Sequence, residues 1–334
     1  MVVLHSYGVA VFFCIVTMLC WGSWANTQKL STKEWPFQQY YWDYALGILI
    51  VSFILAITMG SFGSEGRSFF SDISQASPAS FFYAFMGGVV FNLANILLVA
   101  AIDIAGMSVA FPLAIGLALV IGVITNYIAT PLGQPAVLFL GVLSVLAAII
   151  IDAVIYKRIS DNKNKNMLKG FIVSIILGIL MGFFYPLVIK SISSDFVTPQ
   201  AGLMTPYTAS FIFALGIFIS NFAINGWMIK FPISGKKLKF KDYFSQGTPW
   251  LHIIGILGGV IWGVGSCLNF IASGVAGPSI SYGLGQGATM IAAFWGVFIW
   301  KEFAKAPKGT NKLILLMFIT YILGLTLIVL ARNI

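Results

Sequence analysis

Asp103-Ile104-Ala105-Gly106 and Ser273-Gly274-Val275-Ala276-Gly277-Pro278 are short turns that divide two long apolar stretches, 79–128 and 250–300. Each arm beside a turn runs to about 20 residues, the length an α-helix needs to cross about 30 Å of hydrocarbon. Both stretches therefore read as hairpins of two membrane-spanning helices. The hairpins also match each other. Adding 171 to Gly87 and Gly88 gives Gly258 and Gly259, to Gly106 gives Gly277 and to Gly116 gives Gly287. At the same offset Phe91 falls on Trp262 and Asn95 on Ser266, while a weaker match at offset 160 sets Gly22 and Trp24 on Gly182 and Phe184.

Carried along the rest of the chain, a window of about 19 residues finds ten apolar spans, at 7–26, 39–60, 79–101, 105–128, 136–156, 168–190, 204–227, 250–273, 278–300 and 312–332. Composition agrees: 59% of residues are hydrophobic, only 9% are charged, and the mean hydropathy is +0.95. A soluble domain carries roughly a quarter charged residues because its surface faces water. The first span has no Lys/Arg-rich leader before it, so it reads as a retained helix. The chain is thus an all-α membrane protein of ten transmembrane helices in two five-helix repeats, 1–160 and 161–334, forming one integral membrane domain.

Five is odd, so the second repeat enters the membrane from the opposite side and the repeats are inverted, a design common to secondary transporters. Orientation follows from the cations, since cytoplasmic loops collect Lys and Arg. Of the 19, only Arg67, Lys190 and Arg332 fall on the side of the termini, and the other sixteen fall opposite. Both termini are expected outside the cytoplasm. The net charge of +9 belongs to these loops; no basic helix face with interleaved aromatics suggests nucleic acid.

A charge within the bilayer costs several kcal/mol, so intramembrane ionisable groups are candidates for function. Of ten carboxylates, Glu34, Glu65, Asp72, Asp161, Asp195 and Asp242 fall in loops and Asp103 in a hairpin turn. Asp152 and Glu302 close helix ends. Only Asp43 lies inside a span, about one turn in, which makes it the candidate proton carrier; a helix-end Asp partnered with Lys29 is the bland reading. Among neutral polar residues, Asn92 and Asn95 share a helix face, being three apart. Ser266, Asn269, Tyr282 and Gln286 sit at related depth in the second hairpin, and Trp21, Trp24 and Tyr185 at matching depth elsewhere. An uncharged pocket of amides, hydroxyls and aromatic faces suits a small neutral polar solute, through hydrogen bonds and stacking; inter-helix packing is the competing role for each residue singly. Pro112 and the glycines Gly116, Gly283, Gly285 and Gly287 are expected to loosen their helices. Cys14, Cys20 and Cys267 read as packing residues, and His5 and His252 lie too far apart in sequence to suggest a metal pair. No enzyme motif is present, so no catalytic residue, metal or cofactor is expected. The partners expected are a small solute, protons and the lipid bilayer. A channel and a drug or amino-acid exporter are the alternatives to an uptake carrier.

The chain resembles the drug/metabolite transporter superfamily, in its ureide permease and glucose/ribose/rhamnose transporter branches. The resemblance rests on Cys20-Trp21-Gly22-Ser23-Trp24, Tyr41-Trp42-Asp43-Tyr44, Gly87-Gly88 with Asn92 and Asn95, and Gly106-Met107-Ser108-Val109. Leu203 through Ala209, Gly277 through Gln286, Phe294-Trp295-Gly296 and Lys301-Glu302-Phe303 extend it over nearly the whole chain in order. It implies proton-linked uptake of ureides and related oxo-heterocycles such as allantoin or uracil, with monosaccharides implied by the neighbouring branch. Plant ureide permeases carry a long central cytoplasmic loop with a phosphate-loop-like sequence. Here the connection from Tyr156 to Leu168 is short, which brings the chain nearer to bacterial members and implies an inner membrane location.

Overall fold

A computed structural model describes residues 1–31, 35–159 and 166–332, apart from the side chains of Met107, Ser108 and Phe111. Lys33, Glu34, Asp161, Lys163 and Lys165, assigned to loops above, lie outside the described residues. The helices run α1 Tyr7–Ser23, α2 Ala25–Ser31, α3 Phe37–Ile57, α4 Phe69–Gln75, α5 Pro78–Ala105, α6 Met107–Ala129 and α7 Pro135–Ile159, then α8 Met167–Ser191, α9 Pro206–Lys230, α10 Phe240–Gln246, α11 Pro249–Ala276, α12 Pro278–Gly285, α13 Ala288–Phe294 and α14 Thr310–Leu330. A π-helical turn, Trp295–Ile299, follows α13. Among the described residues ten spans are long and apolar enough to cross a membrane, with mean hydropathies between 1.2 and 2.8. In order, span 1 is α1 with α2, spans 2 to 8 are α3, α5, α6, α7, α8, α9 and α11, span 9 is α12 with α13 and the π turn, and span 10 is α14.

The third and eighth spans are built alike from their first residue. Ser77 and Thr248 cap them, each hydroxyl accepting a backbone N–H three residues on, and Pro78 and Pro249 occupy the first turn, where the missing N–H costs nothing. Both helices run 28 residues and end at glycines of positive φ, Gly106 at 83° and Gly277 at 89°. That backbone is strained for any residue with a Cβ, so the turn glycines found in the sequence are required by the hairpins.

Packing repeats in the same way. Span 3 packs on spans 6 and 7, and span 8 on spans 1 and 2; span 4 packs on span 6, and span 9 on span 1; spans 2 and 7, and 5 and 10, pair with each other. At two crossings the backbones nearly touch. A Cβ added at Gly88 would lie 2.1 Å from the carbonyl oxygen of Phe213, and one at Gly216 would lie 2.2 Å from that of Phe85. At the crossing of spans 8 and 2 a Cβ added at Gly259 would lie 2.0 Å from the oxygen of Tyr44, and one at Gly47 2.2 Å from that of Ile256. Close approach of small residues is how helices gain dispersion energy in lipid, where no hydrophobic drive separates protein from solvent.

Some expectations shift. Span 1 breaks at Trp24 and continues to Ser31, and span 9 breaks at Gln286–Gly287 and again at the π turn; both were expected as unbroken helices. Glycines at 283, 285 and 287 lower the helical propensity there. α6, by contrast, continues through Pro112. The third span extends to Ala105, so Asp103 sits in its last turn rather than in the connection. α4 and α10, each of 7 residues, occupy segments expected as plain loops.

The chain termini share one end of the bundle. Tyr7 Oη donates to the Val329 carbonyl at 2.6 Å, and Gln134 N to the Ala331 carbonyl at 2.7 Å. At the other end Lys169 Nζ donates to the Ile233 carbonyl at 2.9 Å and Ser234 Oγ to Asp103 Oδ2 at 3.2 Å. The Gly106 bend follows Asp103 at this second end, whereas the Gly277 bend lies against Leu132 beside the termini.

Candidate functional site

Spans 1, 3, 4, 6, 8 and 9 line a cavity of about 750 Å³, its open mouth included. Its wall is aromatic, from Trp21, Trp24, Phe91, Phe184 and Trp262, with the polar groups of Asn95, Gln286 and Thr289 among them and no charged side chain. Asn95 Nδ2 donates to Tyr41 Oη at 3.3 Å, leaving its amide oxygen free to accept. The side-chain amide of Gln286 makes no hydrogen bond to the described residues, although Gln286 is 8% exposed. The cavity therefore offers flat faces for stacking and unspent amide donors and acceptors.

Trp262 is the keystone. It stacks on Phe91 with ring centroids 4.2 Å apart and on Trp21 at 5.9 Å with planes 11° from parallel. Trp21 is fixed in turn by donating Nε1–H to Ser266 Oγ at 3.0 Å. Phe91 and Trp262 are the pair that offset 171 equates, and the two rings stack on each other. Towards the termini, Phe184, Tyr185, Phe270 and Tyr282 pack edge-on and tilted against one another and close that side. Beyond it the loops are clamped. Asp72, fully buried, accepts from Arg67 Nε at 3.0 Å and from Thr205 N at 2.7 Å, and Arg67 Nη2 also donates to the carbonyls of Gln200 and Leu203.

On the opposite side the cavity continues, past Trp24, Asn95, Leu98, Thr289 and Ala292, into a vestibule of about 1190 Å³. This vestibule is charged. Lys29, Asp103, Asp152, Tyr156 and Glu302 line it, together with Trp295 and Trp300. Lys29 pairs with Glu302, and Trp300 Nε1 donates to Asn26 Oδ1 at 2.6 Å.

Of the residues singled out in the sequence, Trp21, Trp24, Asn95 and Gln286 line the cavity. The others do not. Asn92 faces span 7, donating to Ser220 Oγ at 2.8 Å. Asn269 ties span 8 to span 9 through the Ser281 carbonyl at 2.9 Å. Ser266 positions Trp21. Tyr185 and Tyr282 are buried in the ring cluster beneath, where Tyr282 Oη donates to the carbonyls of Ala118 and Met181. Asp43 touches neither cavity. Its carboxylate, 2% exposed, accepts from Tyr243 Oη on α10 and contacts His252 Nδ1 at 2.9 Å, with Trp35 packed edge-on to His252. Burial, and then the bond to Asp43, push the Tyr243 hydroxyl well above its ordinary range, so it stays a donor. The helix-end partner expected for Asp43, Lys29, is instead held by Glu302. His252, which the sequence left idle, is the partner.

The profile of the ureide permease family matches residues 40–168 and 156–331. The chain belongs to the ureide permease family. Ureide permease 1 of Arabidopsis thaliana is 23% identical over 387 residues and covers 98% of each chain, and ureide permease 2 of the same plant is 23% identical over 389 residues, 96% of each. One solved crystal structure aligns over 98% of this chain and 100% of its own at 15% identity with a TM-score of 0.57, which shows a common fold. With ten apolar spans and permeases as relatives, this ureide permease family member is an integral membrane protein. The two matched ranges meet at 156–168, on the central connection that is short here. In this family member, Phe91, Phe184, Trp262 and Asp152 line the two cavities without having been chosen as site residues from the sequence. Trp262 was nonetheless marked there, as the repeat partner of Phe91.

Proposed function

We propose that this protein is a secondary active, proton-coupled transporter of a small neutral polar solute of the ureide or nucleobase type. The observation that carries the reading is an uncharged, ring-lined cavity with free amide groups, open through a vestibule to one end of the bundle and closed at the other. A ureide or oxo-pyrimidine is flat and neutral and presents N–H donors beside C=O acceptors. Trp262 and Trp21 would stack on its faces while Asn95 and Gln286 bond its edges. The names of the relatives, ureide permeases 1 and 2, point to the same solutes.

Alternating access would come from two inverted repeats within one membrane domain. Support lies in the matched caps and hairpin bends, in the paired glycine crossings, and in the Gly106 and Gly277 bends at opposite ends. The vestibule end carries Lys29, Arg158, Lys169 and Lys301 and is read as cytoplasmic, with both termini outside. The structure then corresponds to the inward-open state, clamped outside by Arg67 and Asp72. Thermal unfolding of the purified protein with allantoin, uracil, xanthine, glucose, ribose and rhamnose tests the solute class, because a ligand that binds only the folded state raises the melting point. A shift with the heterocycles and none with the sugars is expected; the reverse would replace the solute class.

A further inference from the structure

We propose that Asp152, not Asp43, is the carboxyl that takes up the coupling proton. The inference rests on the proton-coupled transport reading and names the site within it. Asp152 projects from span 5 in the vestibule and is 8% exposed. Among the described residues no hydrogen bond or ion pair reaches its carboxylate. The donors beside it, Lys29 and Tyr156, are turned to Glu302 instead. Glu302, the nearest acidic group, is already engaged on both oxygens, by Lys29 Nζ and by Tyr156 Oη at 3.1 Å. Lys29 also lies 4.3 Å over the Trp300 ring. From span 10, the buried Tyr321 faces the same charge.

Around Asp152 one cation, Lys29, thus stands against two carboxylates, Asp152 and Glu302, with Asp103 elsewhere on the vestibule wall. Lys29 and Glu302 neutralise each other, and the uncompensated charge falls on Asp152 when it is ionised. Water in the open vestibule can hydrate that charge. Closing the vestibule removes the water, and an unpaired carboxylate among apolar helices costs several kcal/mol. Taking one proton from vestibule water makes the carboxyl neutral, and returning it to water at the next opening restores the carboxylate, so nothing else is consumed. Asp43 has no comparable position. Its oxygens are occupied by Tyr243 and His252, and it lines neither the solute cavity nor the vestibule. Asp152, by contrast, shares its vestibule with Asn95, Thr289 and Ala292, which also border the solute cavity, so proton and solute use one opening.

The test uses the full chain in proteoliposomes, with labelled allantoin and uracil as probes and a pH dye inside. Wild type is expected to show counterflow and acid-driven accumulation. Asp152→Asn is expected to lose at least about tenfold more of its accumulation than of its counterflow, Asp152→Glu to recover accumulation, and Asp43→Asn to keep the wild-type ratio of the two. If Asp152→Asn fails to reconstitute, Asp152→Glu carries the test, since replacing the titrating carboxyl must move the pH midpoint of accumulation. Counterflow without acid-driven accumulation in wild type, coupled uptake by Asp152→Asn, or an unmoved midpoint in Asp152→Glu each overturns the proton site and leaves transport standing. Absence of counterflow in wild type overturns the transport reading itself.

Discussion

Substituting Gly88→Ala and Gly259→Ala separately should damage the protein to the same degree, because the two glycines occupy equivalent crossings. The new Cβ would meet backbone oxygen at 2.1 Å from Phe213 in one case and 2.0 Å from Tyr44 in the other, where real Cβ contacts almost never fall below 3.0 Å. Neither obstacle is a side chain that can swing aside, so span 3 must part from span 7, or span 8 from span 2, by about 1 Å. Overpacking of this kind costs about 1–3 kcal/mol, against which alanine returns about 0.5–1 kcal/mol of helix propensity. The net loss is about 0–2.5 kcal/mol for each variant, centred at about 1 kcal/mol. Gly226→Ala on α9 is the control: a Cβ there meets nothing within 4 Å, so only the propensity gain remains and stability should rise slightly. Melting of the three variants in detergent, followed by size-exclusion fluorescence, reads the difference. If Gly88→Ala and Gly259→Ala were as harmless as Gly226→Ala, or if one melted early and the other did not, the paired-crossing account would be refuted.

Three other perturbations separate the parts of the structure. Trp262→Leu removes the central stacking face, and at about 0.5–1.5 kcal/mol for a ring pair solute affinity should fall about two- to tenfold, read by calorimetric titration; unchanged affinity would move the solute elsewhere. Arg67→Gln strips the buried Asp72 carboxylate of its cation, at a cost on the order of 3 kcal/mol. A cysteine placed at Phe184 in that background should then react faster with impermeant thiol reagent added on the side of the termini. Asp43→Asn weakens bonds from Tyr243 and His252 worth about 1.5–3 kcal/mol as hydrogen bonds to a charged group; the melting point should drop accordingly while the pH profile of uptake stays put, and a displaced profile would return the coupling role to Asp43.

The spans and hairpins were legible because apolar length is set by the thickness of the bilayer and needs no tertiary knowledge. The likeness of the two hairpins was legible at their glycines for a related reason: a positive φ at 106 and 277 and a backbone contact at 88 and 259 admit no side chain, so those positions stand out in sequence. Ser77-Pro78 and Thr248-Pro249, at the same offset, carried an equal signal that went unread. The weak point of span 9 was signalled by Gly283, Gly285 and Gly287, but the break in span 1 was not legible, since tertiary contacts such as the Trp295 Nε1–Ser23 Oγ bond at 2.9 Å fix the chain there. In the site, amide type alone could not separate Asn95, which faces the cavity, from Asn92 one turn earlier, which faces span 7. Depth of burial misdirected the reading of charge. Asp43 looked singular because it lies within a span, yet α10 folds over it and supplies Tyr243, whereas Asp152 looked like a helix end and proves to line the vestibule.

Solute counterflow decides most directly whether this molecule is a carrier. Proteoliposomes loaded with unlabelled allantoin or uracil, then diluted into a trace of the labelled compound, should show a transient overshoot of label inside, with the same half-saturation as binding and its loss in Trp262→Leu. Label that only equilibrates, with no overshoot and no saturation, would contradict a cavity that opens to one side at a time.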